Sequence, residues 1–277
     1  MKSNDAFRLL LKVIACFALM VGGSAQAAIN CNLTSNGFSS FYDPANLTQN
    51  ITSASFTMTC TRSALGDATS QSYTVMLTSG TNQASLGNNR INYDVFIDSA
   101  CGTPWRGVTT LGGTITFASS TDYFPHSQTV PYWGCVPKSQ TVAAGTYTDT
   151  VTMNPSIGSN ATFPVTIVTP SSCSISTPPG NVTFNYTSFQ GYPASASPPS
   201  PFAATCTNQM PYTMALDATS GTLLGLNYTL SLSASSATGT GLAQSYSING
   251  SIAAGQAGTC AGASCTATAP RTLTISY

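Results

Sequence analysis

Nine cysteines are the residues of this chain with the most definite chemistry, and eight of them follow residue 27. These eight are Cys31, Cys60, Cys101, Cys135, Cys173, Cys206, Cys260 and Cys265. An even number of cysteines indicates disulfides when a chain is exported to an oxidising compartment. The sequence has no C-x-x-C pair for redox catalysis, and no cysteine pair shows the histidine spacing of a zinc site. We therefore expect a disulfide framework without a metal or cofactor.

The first 27 residues have the features of a secretory signal peptide. A positively charged start and an apolar run over residues 9–21 precede an A-x-A cleavage site at residues 25–27. The apolar run is too short and wrongly flanked to span a membrane. We expect residues 1–27 to be removed on export, which places the eight remaining cysteines where disulfides form.

The charged residues offer little support for catalysis or nucleic-acid binding. His126 is the only histidine, glutamate is absent, and no G-x-S-x-G nucleophile motif is present. After residue 27, five basic residues face seven aspartates, which gives a net charge of about −2. So few charges make no basic surface for nucleic acid. We expect a binding or structural protein rather than an enzyme.

Two similar segments organise the elements that carry the cysteines. One runs from Cys31 to Cys60 and the other from Cys173 to Cys206, each with turn residues, an aromatic strand and a closing cysteine. The repeat pairs Cys31 with Cys60 and Cys173 with Cys206. Short alternating strands between Gly, Asn and Ser turns indicate an all-β fold of two immunoglobulin-like β-sandwiches in tandem.

A strand over residues 160–168 lies between the two copies. Its apolar positions alternate with more polar ones and are Ala161, Phe163, Val165 and Ile167. In the first copy, the strand over residues 145–153 continues into residues 160–168. The matching strand of the second copy, residues 271–277, has no successor. We expect a first domain over residues 28–169, completed by this strand, and a second domain over residues 170–277 without its last strand.

An incomplete sandwich exposes an apolar groove and unpaired backbone groups. We expect Leu273, Ile275 and Tyr277 to line that groove. The alternative is that residues 271–277 form an ordinary closing strand in a complete sandwich.

Aromatic residues of the first copy are candidates for surface binding. Residues 121–135 read TDYFPHSQTVPYWGC, and their prolines argue against a central strand. The candidate contact residues are Trp105, Tyr123, Phe124, Pro125, Tyr132 and Trp133, with Ile157 in a further turn. Pairing Cys101 with Cys135 would clamp two of the aromatic segments together, and Cys260 with Cys265 would close a short loop. The alternative is that Trp105, Tyr132 and Trp133 are core residues beneath a disulfide.

The cysteine-to-cysteine openings, the G-T-Y-T-D-T-V-T strand and the final R-T-L-T-I-S-Y resemble the spore coat protein U-like domain. That resemblance implies a pilin-type subunit of an archaic chaperone–usher pilus, exported through the periplasm to the bacterial cell surface. It implies three protein partners: a periplasmic pilus chaperone, an outer-membrane usher and an adjacent pilin subunit. The chaperone or the adjacent pilin would add a donor strand to this groove.

Single-domain members of that family have a leading donor strand before the first cysteine, and this chain does not. We therefore expect a subunit that ends the fibre, a tip adhesin that attaches to abiotic or host surfaces and supports biofilm formation. The alternative is a structural pilus or coat subunit without binding activity of its own.

Overall fold

The computed structural model describes residues 29–44, 48–78, 82–196 and 198–277, so the predicted signal peptide lies outside the described residues. Throughout this part of the chain, the regular elements are β-strands joined by turns. None of the described residues forms a helix that could cross a membrane. The all-β prediction is confirmed, and the chain folds as two β-sandwiches.

The first unit has eleven strands within the described residues. They are β1 (Asn30–Ser35), β2 (Phe38–Phe41), β3 (Asn50–Thr61), β4 (Ser70–Thr78), β5 (Gln83–Leu86), β6 (Asn89–Asn92), β7 (Asp94–Phe96), β8 (Leu111–Thr116), β9 (His126–Val136), β10 (Gly145–Pro155) and β11 (Ala161–Thr169). One sheet has the order β1-β3-β9-β7 and the other β2-β11-β10-β4-β8, with the β5–β6 hairpin attached to β10. Alternate residues of both sheets are buried between them, as expected for facing sheets.

The second unit has nine strands within the described residues. They are β12 (Cys173–Thr177), β13 (Ala194–Ser195), β14 (Ser200–Cys206), β15 (Pro211–Leu216), β16 (Ser220–Leu223), β17 (Leu226–Leu232), β18 (Ser236–Thr238), β19 (Ala243–Ile252) and β20 (Leu273–Ser276). One sheet has the order β12-β14-β19-β17-β16, with β13 beside β19, and the other β18-β15-β20. This unit has a core of its own, centred on side chains such as Phe202 and Tyr212.

The two units repeat the same plan in detail. In each, a disulfide joins directly opposed residues of the first strand pair, Cys31 with Cys60 and Cys173 with Cys206. The described chain also contains the bridges Cys101–Cys135 and Cys260–Cys265. The strand orders of the sheets also match, so that β4, β8, β9 and β10 of the first unit correspond to β15, β18, β19 and β20 of the second.

Prolines were poor guides to the sheet interior. Residues 126–136 form β9, which lies between β3 and β7, so the expectation that Pro131 excludes a central strand was wrong. The reason is local: β7 pairs only with residues 133–135, and at Pro131 the strand has β3 alone beside it. The missing N–H at that position therefore costs no bond of the ladder to β7.

Candidate functional site

The edge of β10 in the first unit is covered by β11. The two strands pair antiparallel from Gly145 and Thr169 to Met153 and Ala161, and β11 also pairs in parallel with β2. Three alternate side chains of β11 are fully buried: Phe163, Val165 and Ile167. The Phe163 ring lies 5.2 Å from that of Tyr132 on the opposite sheet. Ala161, at the start of β11, is half-buried against the same core.

The matching edge of the second unit is open. Strand β20 has four residues, and all four pair with β15, from Leu273 with Leu216 to Ser276 with Thr213. Within residues 29–44, 48–78, 82–196 and 198–277, no strand pairs with its other edge. Residues 253–272, just before it, form no regular strand. Backbone groups on this edge are therefore free to pair with an added strand.

The other wall of the opening is a segment that corresponds to β2. In the first unit, Phe38 of β2 lies over Gly134 of β9, and a β-carbon added there would sit 2.5 Å from its ring. In the second unit, Phe184 lies over Gly250 of β19 in the same way, at 2.4 Å. Yet residues 178–187 form no regular strand, although Val182, Phe184 and Tyr186 alternate as half-buried residues against the core. We call the space between residues 182–186 and β20 the open groove.

The structure places the residues expected to line the open groove at its β20 wall. Leu273 and Ile275 are half-buried against the core of the second unit. Tyr277 is 63% exposed at the end of the strand. These apolar side chains face a core that no strand covers at this edge. They are therefore suited to contact the alternate side chains of an added strand.

Two of the predicted surface-contact residues belong to the core instead. Trp105 is fully buried between Phe56 and Tyr132, and its indole N–H donates to the Val75 carbonyl over 2.9 Å. Tyr132 is also fully buried, and burial raises its pKa to about 12. The assignment of these two residues to a binding surface was wrong. The Trp105 N–H bonds within the sandwich, and the Tyr132 hydroxyl lies 2.9 Å from that of Ser35.

Two further candidates lie outside any exposed loop. Trp133 is half-buried within β9, where it is paired with Ser53 and Phe96. Ile157 is half-buried and packs against the first core from the turn after β10. Neither position gives the fully exposed aromatic or apolar loop residue that was predicted.

One pole of the first unit does carry exposed apolar side chains. Strand registers bring the turns at residues 62–69, 117–125 and 156–160 to the same end of the sandwich. The opposite end adjoins the second unit, where the amides of Asn89 and Gln209 exchange two hydrogen bonds. The side chains exposed at the free pole are Phe124 (79%), Leu65 (66%), Tyr123 (41%) and Pro125. We call Leu65, Tyr123, Phe124 and Pro125 the distal apolar cluster.

A set of hydrogen bonds holds the loop that carries Phe124. The Asp122 carboxylate accepts from the N–H groups of Ala118 (2.9 Å) and Phe124 (3.3 Å) and lies 2.9 Å from the His126 ring. The Ala118 N–H is the main cause of the lowered pKa of Asp122, with further contributions from Phe124 and His126. A loop held in this way loses little entropy on contact with a surface.

Leu65 was not among the surface-contact residues predicted from the sequence. Its loop is joined by hydrogen bonds to the loop that carries Phe124. The buried Arg62 side chain donates to the carbonyls of Ser119 (2.7 Å) and Asp67, so it joins the two turns. Its guanidinium also lies 5.8 Å from the Phe117 ring. The sequence gives one sign that Leu65 is exposed. It is a single leucine among the turn residues S-A-L-G-D, and a leucine in a turn is not expected to lie in the core.

The sequence over residues 16–154, just over half of the chain, matches the Spore Coat Protein U domain. The chain belongs to this family, as its cysteine-framed repeat predicted.

The fold is similar to three solved structures at low identity. The chaperone–tip adhesion subunit pre-assembly complex of archaic Csu pili from Acinetobacter baumannii shares 14% identity, with 89% of this chain and 99% of that one covered at a TM-score of 0.45. The CupB6 tip adhesin from Pseudomonas aeruginosa shares 9% identity, with 90% of this chain and 96% of that one covered at a TM-score of 0.38. A chaperone–tip adhesin complex of CFA/I fimbriae biogenesis shares 11% identity, with 87% of this chain and 96% of that one covered at a TM-score of 0.31. No curated protein matches the chain.

Proposed function

We propose that this chain is the tip adhesin subunit of an archaic chaperone–usher pilus. One observation carries the proposal: the same edge is covered by β11 in the first unit and open in the second. A strand that could be donated to another subunit is thus used inside its own chain. The molecule accepts a strand at one end and presents a completed sandwich at the other. Its membership of the Spore Coat Protein U family supports this assignment.

The partners follow from the open groove. A periplasmic chaperone first adds a strand between residues 182–186 and β20, and the adjacent pilin then replaces it at the outer-membrane usher. Both occupants bind through main-chain hydrogen bonds and alternate apolar side chains. By analogy with β11, the added strand runs antiparallel to β20 and parallel to residues 182–186.

The acceptor function is tested with residues 28–277 and with a version in which a copy of residues 156–169 follows Tyr277. That copy contains the turn and the strand that complete the first unit. We expect the shorter protein to self-associate and the extended protein to be monomeric, measured by sedimentation. A monomeric and stable protein over residues 28–277 alone would contradict an open groove. Co-production with the periplasmic chaperone should also give a monomeric complex.

We propose further that the distal apolar cluster attaches the pilus to abiotic or host surfaces and so supports biofilm formation. Phe124→Ser and Leu65→Ser should each reduce attachment severalfold, because exposed apolar groups supply most of the contact free energy. Stability should change by no more than about 0.5 kcal/mol. Val108→Ser is the matched control, because Val108 is 99% exposed but lies outside the cluster.

The burial of Trp105 and Tyr132 favours a second candidate, a structural subunit without binding activity. It predicts normal pili with unchanged attachment in both the Phe124→Ser and the Leu65→Ser variants. Pilus assembly is followed by electron microscopy in the same strains, so that loss of attachment is separated from loss of pili.

A further inference from the structure

Charge in the second unit is confined to two side chains. After Pro170 the sequence contains Asp217 and Arg271 as its only charged residues. Arg271 is exposed and lies two positions before β20, at the open edge. A single cation in a nearly uncharged domain, beside an apolar groove, is an unusual position for a residue that only contributes solubility.

The Arg271 side chain is held in place without a carboxylate. Its guanidinium lies 5.6 Å from the centroid of the Tyr228 ring. It donates to the Tyr228 hydroxyl, to the Ser220 carbonyl (3.3 Å) and to the Pro270 carbonyl (3.2 Å). Among the residues described here, no carboxylate oxygen lies within 4.0 Å of it. The charge is therefore oriented but not neutralised.

In the first unit the equivalent tyrosine bonds to a different side chain. There, Tyr93 lies beside Phe38 at 5.8 Å and donates to Asp149 of β10 over 2.6 Å. In the second unit, Tyr228 lies beside Phe184 at 6.1 Å and bonds to Arg271. The Arg271 guanidinium thus has the tyrosine contact that the Asp149 carboxylate has in the first unit. In strand register Arg271 corresponds to Val151, because Leu273 and Met153 pair with the equivalent residues Leu216 and Leu77. Val151 is directly opposite Phe163 of β11.

A strand added to the second unit would meet Arg271 directly. Side chains of directly opposed residues on antiparallel strands lie on the same face, with β-carbons about 5 Å apart. Arg271 shares its face with Leu273 and Ile275, the two residues of β20 that pack against the core. The added strand would remove water from the guanidinium, and a buried charge without a partner is strongly unfavourable.

We propose that Arg271 selects the strand that completes the second unit, and that this strand carries an aspartate or glutamate opposite it, between apolar residues two positions away on either side. The inference rests on the proposed acceptor function and specifies the partner's chemistry. It also distinguishes the partner from β11, which has no charged side chain. The same charge therefore disfavours occupation of the open groove by β11 of a second copy.

The test uses the chain extended after Tyr277 by the copy of residues 156–169. Phe163→Asp, Phe163→Asn and Phe163→Lys are made in the appended copy only, because Phe163 is opposite the position of Arg271. Hydrogen exchange of the amides of β20 and of the appended strand then reports the local opening equilibrium. We expect exchange to be about fivefold slower with aspartate than with asparagine, and fastest with lysine, as for a favourable cross-strand charge pair.

Reversal of the charge in the acceptor makes the test specific. With Arg271→Glu, the order should invert, so that the lysine-bearing strand is protected best. With Arg271→Gln, the aspartate and lysine strands should be protected equally. Equal protection of all three strands in the chain with Arg271 would overturn the charge inference and leave the acceptor function intact. Failure of every appended strand to protect β20, including the unaltered copy, would overturn the acceptor function itself.

Discussion

Strands β10 and β20 close equivalent sheets, yet β10 has eleven residues and β20 has four. The difference lies in what is beside them. Residues 152–155 of β10 pair with β4, whereas the stretch from residue 145 to residue 151 depends on β11 and the β5–β6 hairpin. In the second unit, only the part that pairs with β15 is a strand. Strand length here is set by the neighbouring strand, because unpaired backbone groups gain no stabilisation from the extended conformation.

The aromatic segments show the same dependence. Phe38 and its neighbours form β2 by pairing in parallel with β11. Residues 182–186 have the same alternation and the same contact of a phenylalanine with a glycine, but no strand. One missing strand therefore leaves residues 182–186 without strand pairing and β20 paired on one side only, which agrees with a groove prepared for an added strand.

The largest expected difference between the units comes from truncating an apolar residue at the covered edge and one at the open edge. Phe163→Ala, in the covered edge, should lower the free energy of unfolding by about 3–5 kcal/mol, because the ring is fully buried. Ile275→Ala, on the open edge, should lower it by about 1 kcal/mol, because that side chain is only half-buried. Denaturant unfolding of residues 28–277 at low protein concentration, without the chaperone, measures both. Equal losses in the chaperone-free protein would show that the two edges are equally covered.

Adding a methyl group beneath the two phenylalanines should give a smaller difference. Gly134→Ala should cost about 2 kcal/mol, because β2 is fixed by β11 and the Phe38 ring cannot move away. Gly250→Ala should cost less than about 1 kcal/mol, because Phe184 lies outside any paired strand. Thermal unfolding of each variant gives the comparison. A larger cost at Gly250 would contradict the view that residues 182–186 are free to adjust.

The smallest effect is expected at the turn before β9, where the units also differ. The first unit has residues 117–125 there, and the second has only residues 239–242. Asp122→Ala should reduce attachment about as much as Phe124→Ser, with little change in global stability. The measurement is attachment of piliated cells, with Asp217→Ala in the second unit as control. Unchanged attachment would show that the turn needs no carboxylate to present Phe124.

The pH dependence of that turn follows from the lowered pKa of Asp122, caused mainly by the Ala118 N–H. A carboxyl group with a lowered pKa stabilises the fold above its ordinary pKa of about 4 and loses this effect as the pH falls through the lower folded value. Attachment should therefore be equal at pH 7 and pH 5 and decline only in stronger acid. A decline already between pH 7 and pH 5 would contradict the assignment of this effect to Asp122.

Regular alternation made the strands and the repeat predictable from sequence. The apolar positions of residues 160–168 and the spacing of Cys31, Cys60, Cys173 and Cys206 depend on local periodicity and on comparison of the two copies. The all-β fold and the family followed from these patterns and are confirmed.

Side-chain burial was harder to predict. Trp105 and Tyr132 were expected at the surface because prolines and glycines surround them, but the inward face of β9 and a bond to the Val75 carbonyl bury them. Leu65 is apolar in a turn, and sequence alone does not show that Arg62 joins its loop to that of Phe124. The place of Arg271 beside Tyr228 also depends on contacts between distant segments.

Hydrogen exchange of the backbone amides tests the central difference between the units most directly. Residues 28–277 are compared, at low protein concentration, with the same chain extended by the copy of residues 156–169. We predict strong protection at residues 145–153 in both proteins. At residues 267–276 we predict weak protection in the shorter protein and strong protection in the extended one. Equal, strong protection of residues 145–153 and 267–276 in the shorter protein would contradict the open groove and, with it, the proposed acceptor function.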